Sequence, residues 1–349
     1  MSTITIQGRP IGTGHPVYII AEMSANHNHS YDSAVEILHA AQANGADAIK
    51  LQTYTPDTIT LNCRTPDFMV GKGSLWEGKN LYDLYGEAYM PWEWQPRLKL
   101  EADKIGIPLF SSPFDFSAVD FLETMQVPAY KIASFELVDL PLIRKVAATG
   151  KPLIMSTGMA TEEEIHDAVQ AAREAGAQEL ALLKCTSAYP APPEEMNLRT
   201  IAHLAQTFGL PVGLSDHTME TLAAIASVAL GGCIIEKHFT MSRSIPGPDS
   251  AFSLEPDEFK KMVDAIRTTE KTLGHVSYES SEKEKANRVF RRSLYVSAPI
   301  KAGEIFTEQN VRSVRPAHGL APKHIGSILG KRAACDLNLG TPLNWNLIK

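Results

Sequence analysis

Eight short apolar runs, separated by longer stretches with helical spacing, constrain this chain more than any other feature. The runs cover 18–23, 48–52, 108–112, 129–134, 152–157, 180–186, 212–216 and 233–239. Each is continuous and rich in Ile, Leu or Val, as a strand buried on both faces should be. Between them lie helix signatures. Thr161-Glu162-Glu163-Glu164 reads as a capping box, followed by Ile165, Ala168, Val169 and Ala172 on one face and Gly176 as a stop. Phe259, Met262, Val263 and Ile266 repeat the spacing after Pro256, which suits a first helical turn. Eight such units over about 270 residues predict a (β/α)8 barrel, an α/β fold. An open doubly wound sheet is the alternative, but the loop after the first run, Met23-Ser24-Ala25-Asn26-His27-Asn28, has no glycine for a dinucleotide turn.

The chain has 349 residues, which suits one large barrel and an appendage. The barrel is assigned to 1–274. Residues 275–290 read as a linker, polar and charged in 275–285. Residues 291–349 read as a small second domain, with β-like Ser293-Leu294-Tyr295-Val296 and turns at Ala302-Gly303 and Leu339-Gly340. The stretch 53–91 is too long for a plain strand–helix loop and reads as a cap beside the barrel mouth or as a packing insert.

A net charge of -7 gives no support to a nucleic-acid partner. No apolar run approaches the roughly 18 residues of a membrane-spanning helix. The N-terminal stretch lacks the basic start, long apolar run and cleavage site of a signal peptide. The cysteines Cys63, Cys185, Cys233 and Cys335 are dispersed, so reduced thiols and a cytoplasmic location are expected.

In a (β/α)8 barrel the chemistry sits at the C-terminal ends of the strands. Those ends here carry Glu22; Lys50 and Gln52; Ser111 and Ser112; Lys131 and Ser134; Ser156 and Thr157; Thr186, Ser187 and Tyr189; Ser215, Asp216 and His217; and Glu236, Lys237 and His238. Lys50 and Lys131 with Ser134, Ser156 and Ser215 make an anion site for a small substrate with two or three negative charges. The alternative is that each lysine pairs with a barrel carboxylate such as Asp47. His217 and His238 end neighbouring strands and form a candidate site for an exchangeable divalent ion. Glu22 is a candidate for proton handling, or else a structural partner of Lys50 or Lys237.

At these same residues the chain resembles the sialic acid synthase family. The resemblance rests on IIAEMSANHN at 19–28, KLQT at 50–53, FSSPF at 110–114, KIAS at 131–134, MSTGM at 155–159, CTSAYP at 185–190, GLSDHT at 213–218 and EKHFT at 236–240. The tail resembles that family's antifreeze-like (SAF) domain, through Ser293–Val296, Ile300-Lys301-Ala302-Gly303-Glu304 and Val314-Arg315-Pro316 with Gly319-Leu320. Within the family, Ser24-Ala25, the stretch 51–60 and Gly247-Pro248-Asp249-Ser250-Ala251-Phe252-Ser253 are most similar to the pseudaminic acid branch.

The resemblance implies condensation of phosphoenolpyruvate with 2,4-diacetamido-2,4,6-trideoxy-L-altrose and water, giving pseudaminic acid and phosphate. It implies Mn2+ or Mg2+ on His217 and His238, and phosphoenolpyruvate held by Lys50, Ser111, Lys131, Ser134, Ser156 and Ser215. The sugar would be held by Gln52, Ser187, Tyr189 and Asp249. It also implies a domain-swapped homodimer in which Arg315 reaches the partner's sugar. The competing expectations are an N-acetylneuraminate or legionaminate synthase, and a non-catalytic sugar-binding scaffold.

Overall fold

The computed structural model describes residues 2–73 and 75–349, which fall into two compact units, 1–274 and 275–349. The first unit opens with a hairpin, β1 (Ile4–Ile6) and β2 (Arg9–Ile11), turning at Gln7-Gly8. Eight parallel strands follow: β3 (Tyr18–Glu22), β4 (Ala48–Thr53), β5 (Leu109–Pro113), β6 (Tyr130–Ile132), β7 (Leu153–Ser156), β8 (Leu180–Cys185), β9 (Val212–Asp216) and β10 (Ile234–His238). They close into a barrel, β10 pairing with β3. The expected (β/α)8 fold is thus borne out, and every barrel strand coincides with one of the apolar runs.

A helix follows each strand: Tyr31–Ala43, Gln95–Ile105, Phe116–Thr124, Leu140–Ala147, Glu162–Glu174, Thr200–Phe208, Leu222–Ala229 and Pro256–Leu273. Local chemistry sets their ends. The Thr161 hydroxyl accepts from the Glu164 amide while the Glu164 carboxylate accepts from the Thr161 amide. Gly106 takes the left-handed conformation that ends the helix Gln95–Ile105.

Strands buried on both faces need an inner and an outer packing layer. Ile20, Phe110, Ile154, Leu183 and Ile234 alternate inward and fill the barrel. Gly213 belongs to the same set: a Cβ there would lie 2.2 Å from the Ile234 carbonyl oxygen, so the two strands approach that closely only because position 213 has no side chain. The hairpin β1–β2 covers the N-terminal end of the barrel. Ile4, Ile6 and Ile11 are fully buried there. Its polar atoms bond to residues just before the strands: Ser2 to the Gly209 carbonyl, the Thr5 amide to Glu179, and Arg9 to Asp47 and the Val17 carbonyl. Asp47 also pairs with Arg267 at 2.9 Å, so it is spent on this closed end and is not available to Lys50 or Lys131.

At the opposite end, the stretch 53–91 carries helices Pro56–Ile59 and Leu81–Ala88. Trp92 Nε1 donates to the Tyr54 carbonyl, and Trp76 Nε1 to the Pro248 carbonyl in the loop beyond β10. That second bond sets the insertion beside the C-terminal mouth. Among the described residues no helix is long and apolar enough to cross a membrane.

The second unit pairs β11 (Ser293–Val296) with β12 (Val311–Val314) antiparallel. Its small core holds Leu294, Val296, Ile300, Phe306, Val311, Ile328, Leu337 and Leu343. The segment leading to β11 contains a short exposed helix, Glu282–Asn287, capped by Ser281.

Candidate active site

Strand alternation decides which polar strand ends face the barrel axis. Glu22, Lys50, Gln52, Ser112, Lys131, Ser156, Cys185, Ser215, Glu236 and His238 are in register with one another and turn inward. The residues between them turn to the helices. Lys237 is fully buried there, donating to Asp216 at 2.8 Å and to the Glu220 carbonyl at 3.0 Å. Ser111 also faces outward: its hydroxyl lies 2.6 Å from Thr53 Oγ1, which donates to Gln95 of the first barrel helix after the insertion. The expectation that Ser111 lines the anion site is therefore corrected. Ser112 takes that place, 3.4 Å from Lys50 Nζ.

Four charges occupy the centre. Lys50 Nζ is 2.6 Å from Glu22 and 3.6 Å from Glu236, and Lys131 Nζ is 3.8 Å from Glu236. Lys131 also donates to Ser156 Oγ at 2.6 Å, and Ser215 Oγ to Glu236 at 3.4 Å. The lysines thus have carboxylate partners, but Glu22 and Glu236 rather than Asp47. Formally the four charges cancel, which would leave nothing to attract an anion. Burial removes the symmetry. It pushes the Glu22 carboxyl up, and the Glu236 charge adds to this. Glu236 goes the other way, because Lys131, Lys50 and His217 outweigh its burial. The two carboxyls therefore differ: burial favours the neutral form of Glu22, while the two lysines favour the ionised form of Glu236.

The hydroxyls converge with them. A Cβ on Gly158, whose φ is +48°, would lie 2.4 Å from Ser134 Cβ and 2.8 Å from Ser187 Oγ, so Ser134 and Ser187 close on one point. His217 and His238 stand one layer further out, ring centroids 5.4 Å apart. His217 Nδ1 lies 2.9 Å from the Thr186 carbonyl, so this nitrogen carries a proton, and although burial opposes it, Cys185 and that carbonyl raise the ring's pKa. His238 Nδ1 is buried without a protein partner, and burial together with the neighbouring His217 holds the ring well below the ordinary imidazole range. Tyr189 packs over His217 at 4.3 Å between centroids, and Phe252 against His238 at 4.9 Å.

On the cap side, Gln52 Nε2 donates to Glu22 Oε1 and to Ser24 Oγ, both at 3.0 Å, and Ser24 donates to Asp249. All the barrel residues expected in the site except Ser111 are thus gathered at one mouth. Arg315 follows β12 in the second unit. It is exposed and pairs with no carboxylate among the described residues.

Three groups escaped the sequence reading. Glu236 was visible as a strand end, but only alternation separates it from Lys237 beside it. Glu136 lies in the turn Ser134–Val138 after β6, with one buried carboxylate oxygen unpartnered. Burial lifts its carboxyl to about 7, against the pull of Lys131 and Lys50. Cys185 Sγ lies 3.8 Å from His217 Nδ1, and although burial opposes it, the histidine draws the thiol down to about 6.

The model of the NeuB family matches residues 37–278, and that of the SAF domain residues 291–349. The chain belongs to the NeuB family. Pseudaminic acid synthase of Campylobacter jejuni is 49% identical over 331 residues, 95% of this chain and 96% of that protein. Pseudaminic acid synthase of Helicobacter pylori is 45% identical, over 94% of this chain and 97% of that protein. Among solved structures, N-acetylneuraminic acid (sialic acid) synthetase of Leptospira borgpetersenii, in complex with citrate, superposes with a TM-score of 0.73 at 30% identity, over 82% of this chain and 95% of that one. The family resemblance carried by the barrel motifs is borne out, as is that of the tail to the SAF domain.

Proposed function

We propose that this chain is a transferase that condenses phosphoenolpyruvate with 2,4-diacetamido-2,4,6-trideoxy-L-altrose and water, giving pseudaminic acid and phosphate. The observation that carries the reading is near-full-length similarity to two pseudaminic acid synthases, in a chain whose inward-facing strand ends bring two buried lysines together beneath a histidine pair.

Lys131, Ser134, Ser156, Ser112 and Ser215 surround the phosphate and carboxylate of phosphoenolpyruvate, and Lys50 balances the remaining charge. Among the described residues no group of three or more His, Cys, Asp or Glu is arranged to hold a metal ion. The unpartnered Nδ1 of His238 and the Nε2 of His217, once deprotonated, would nevertheless fit an exchangeable divalent ion, Mn2+ or Mg2+. Such an ion supplies Lewis acidity to the open-chain sugar aldehyde. The methylene carbon of phosphoenolpyruvate bonds to the aldehyde carbon, whose oxygen takes a proton. Water adds to the carbon bearing the phosphate, and the C–O bond to phosphate breaks. Glu22, whose carboxyl burial pushes up, gives a proton, and Glu136, lifted to about 7, takes one. Gln52, Ser187, Tyr189 and Asp249 hold the sugar.

The reading extends to a cytoplasmic homodimer in which each SAF domain serves the partner's barrel through Arg315, as the resemblance implies. The deciding experiment incubates the purified protein and a divalent ion with phosphoenolpyruvate and a panel of amino-sugars, and reads phosphate release and product mass. Preferential formation of pseudaminic acid supports the proposal. Preference for N-acetylmannosamine, or for the legionaminic acid precursor, reassigns the substrate. No phosphate release with any sugar overturns the enzymatic reading.

A further inference from the structure

Ser24 is the feature that the chemistry above leaves unexplained. It follows the first barrel strand with φ at +46°, in the left-handed region where a side chain is strained and glycine is not. It is also 5% exposed, so the site gains no solvation from the hydroxyl. A strained, buried serine persists where its side chain is held by something the backbone strain does not outweigh. The hydroxyl is held from two sides. It accepts from Gln52 Nε2 at 3.0 Å and donates to Asp249 Oδ2, while the next amide, of Ala25, also donates to that oxygen at 3.4 Å. Gln52 comes from β4 and Asp249 from the loop after β10. One hydroxyl therefore fixes two groups that come from the strands on either side of β3.

The arrangement leaves a defined set of free functions. Gln52 spends its amide nitrogen on Glu22 and Ser24 and keeps its carbonyl oxygen. Asp249 commits Oδ2 and keeps Oδ1. Two acceptors at fixed positions suit the hydroxyl and amide donors of a sugar, not the oxygens of phosphoenolpyruvate.

We infer that Ser24 is a positioning residue for the amino-sugar, holding Gln52 and Asp249 in the orientation that accepts its hydroxyl and amide donors. The inference rests on the proposed reaction. It makes a distinctive claim about Ser24→Gly. That change removes the hydroxyl but relieves the backbone strain, so the fold is not weakened while the sugar site is. Without Ser24 the Asp249 carboxylate and Gln52 amide lose their mutual reference and sample other rotamers.

The test compares Ser24→Gly, Ser24→Ala, Asp249→Ala and Gln52→Ala in the full-length, metal-supplied enzyme, reading the KM of each substrate separately together with the melting temperature. In Ser24→Gly the sugar KM should rise roughly tenfold, as for loss of a hydrogen bond to a charged group. The KM for phosphoenolpyruvate should hold, and the melting temperature should equal or exceed that of the parent. Ser24→Ala should show the same split with a lower melting temperature, because alanine keeps the strain and loses the hydroxyl's hydrogen bonds. If Asp249→Ala and Gln52→Ala raise the sugar KM but Ser24→Gly does not, the positioning role is wrong and the sugar site stands. If none of the four raises it, the sugar assignment fails and the inference with it. Equal loss for both substrates with a lowered melting temperature shows a structural staple, and also overturns it.

Discussion

Replacing Lys131 with methionine separates binding from folding. The ammonium sits 2.6 Å from Ser156 Oγ and 3.8 Å from Glu236, almost fully buried. Two estimates bound its worth to phosphoenolpyruvate. A bare charge pair at about 4 Å in an effective dielectric of 20 gives roughly 4 kcal/mol. A charge-assisted hydrogen bond measured net of desolvation gives about 1.5–3 kcal/mol. The lower range applies, because Glu236 already neutralises part of the lysine charge. The expected loss of affinity is therefore roughly 10- to 150-fold. Stability should respond differently. Burial pulls the Lys131 ammonium below its usual range, so the folded protein gains little from holding it charged. Methionine fills a similar volume, and Glu236 keeps Lys50 at 3.6 Å and the Ser215 hydroxyl. A stability change below about 1 kcal/mol corresponds to roughly 2–4 °C in melting temperature for a domain of this size. Calorimetric titration with phosphoenolpyruvate and a thermal melt read the two quantities. Affinity unchanged within about twofold, which is under 0.5 kcal/mol, would refute the anion assignment.

Chelation should abolish activity and Mn2+ should restore it; His217→Ala should melt as the parent does yet remain inactive, and full activity after chelation would remove the metal from the scheme. Glu136, lifted to about 7, should give an acidic limb in which the rate rises as pH increases through neutrality and the carboxyl ionises, and Glu136→Gln should lose that limb in a pH–rate profile. The outward pair Lys237–Asp216 makes an opposite case: Lys237→Ala leaves a buried carboxylate uncompensated, so stability should fall by about 3–5 kcal/mol while folded enzyme keeps its KM for phosphoenolpyruvate. Mixing Arg315→Ala with His217→Ala under subunit exchange should restore activity, up to about half per heterodimer for independent sites; exchange without recovery would exclude a swapped tail.

Much of this architecture is written in hydrophobic periodicity. The barrel strands are legible because strands buried on both faces are apolar throughout, and short runs between capped helices have few other solutions. That same continuity hides orientation. An alternating strand shows which residues face the core, whereas Phe110-Ser111-Ser112 and Glu236-Lys237-His238 present polar groups to both sides. Ser111 was consequently put on the wrong face and Glu236 left out. Glu136 and Cys185 were missed for another reason: their chemistry comes from burial and neighbours brought in from other strands. The N-terminal hairpin did carry a local signal, Ile4 and Ile6 alternating into the turn Gln7-Gly8, but three-residue strands fall below what periodicity resolves.

The hairpin across the barrel floor has a kinetic consequence. It covers an interior that Ile20, Phe110, Ile154, Leu183 and Ile234 already fill, so traffic passes only through the C-terminal mouth. Lys50, Ser215 and Glu236 lie two residues deeper along their strands than Gln52, His217 and His238. A ligand lodged in the upper tier therefore corks the lower one. Phosphoenolpyruvate has to arrive before the sugar, and the phosphate it leaves behind stays trapped until the nine-carbon product has gone. Steady-state kinetics should show compulsory order, with phosphate competitive against phosphoenolpyruvate and noncompetitive against the sugar.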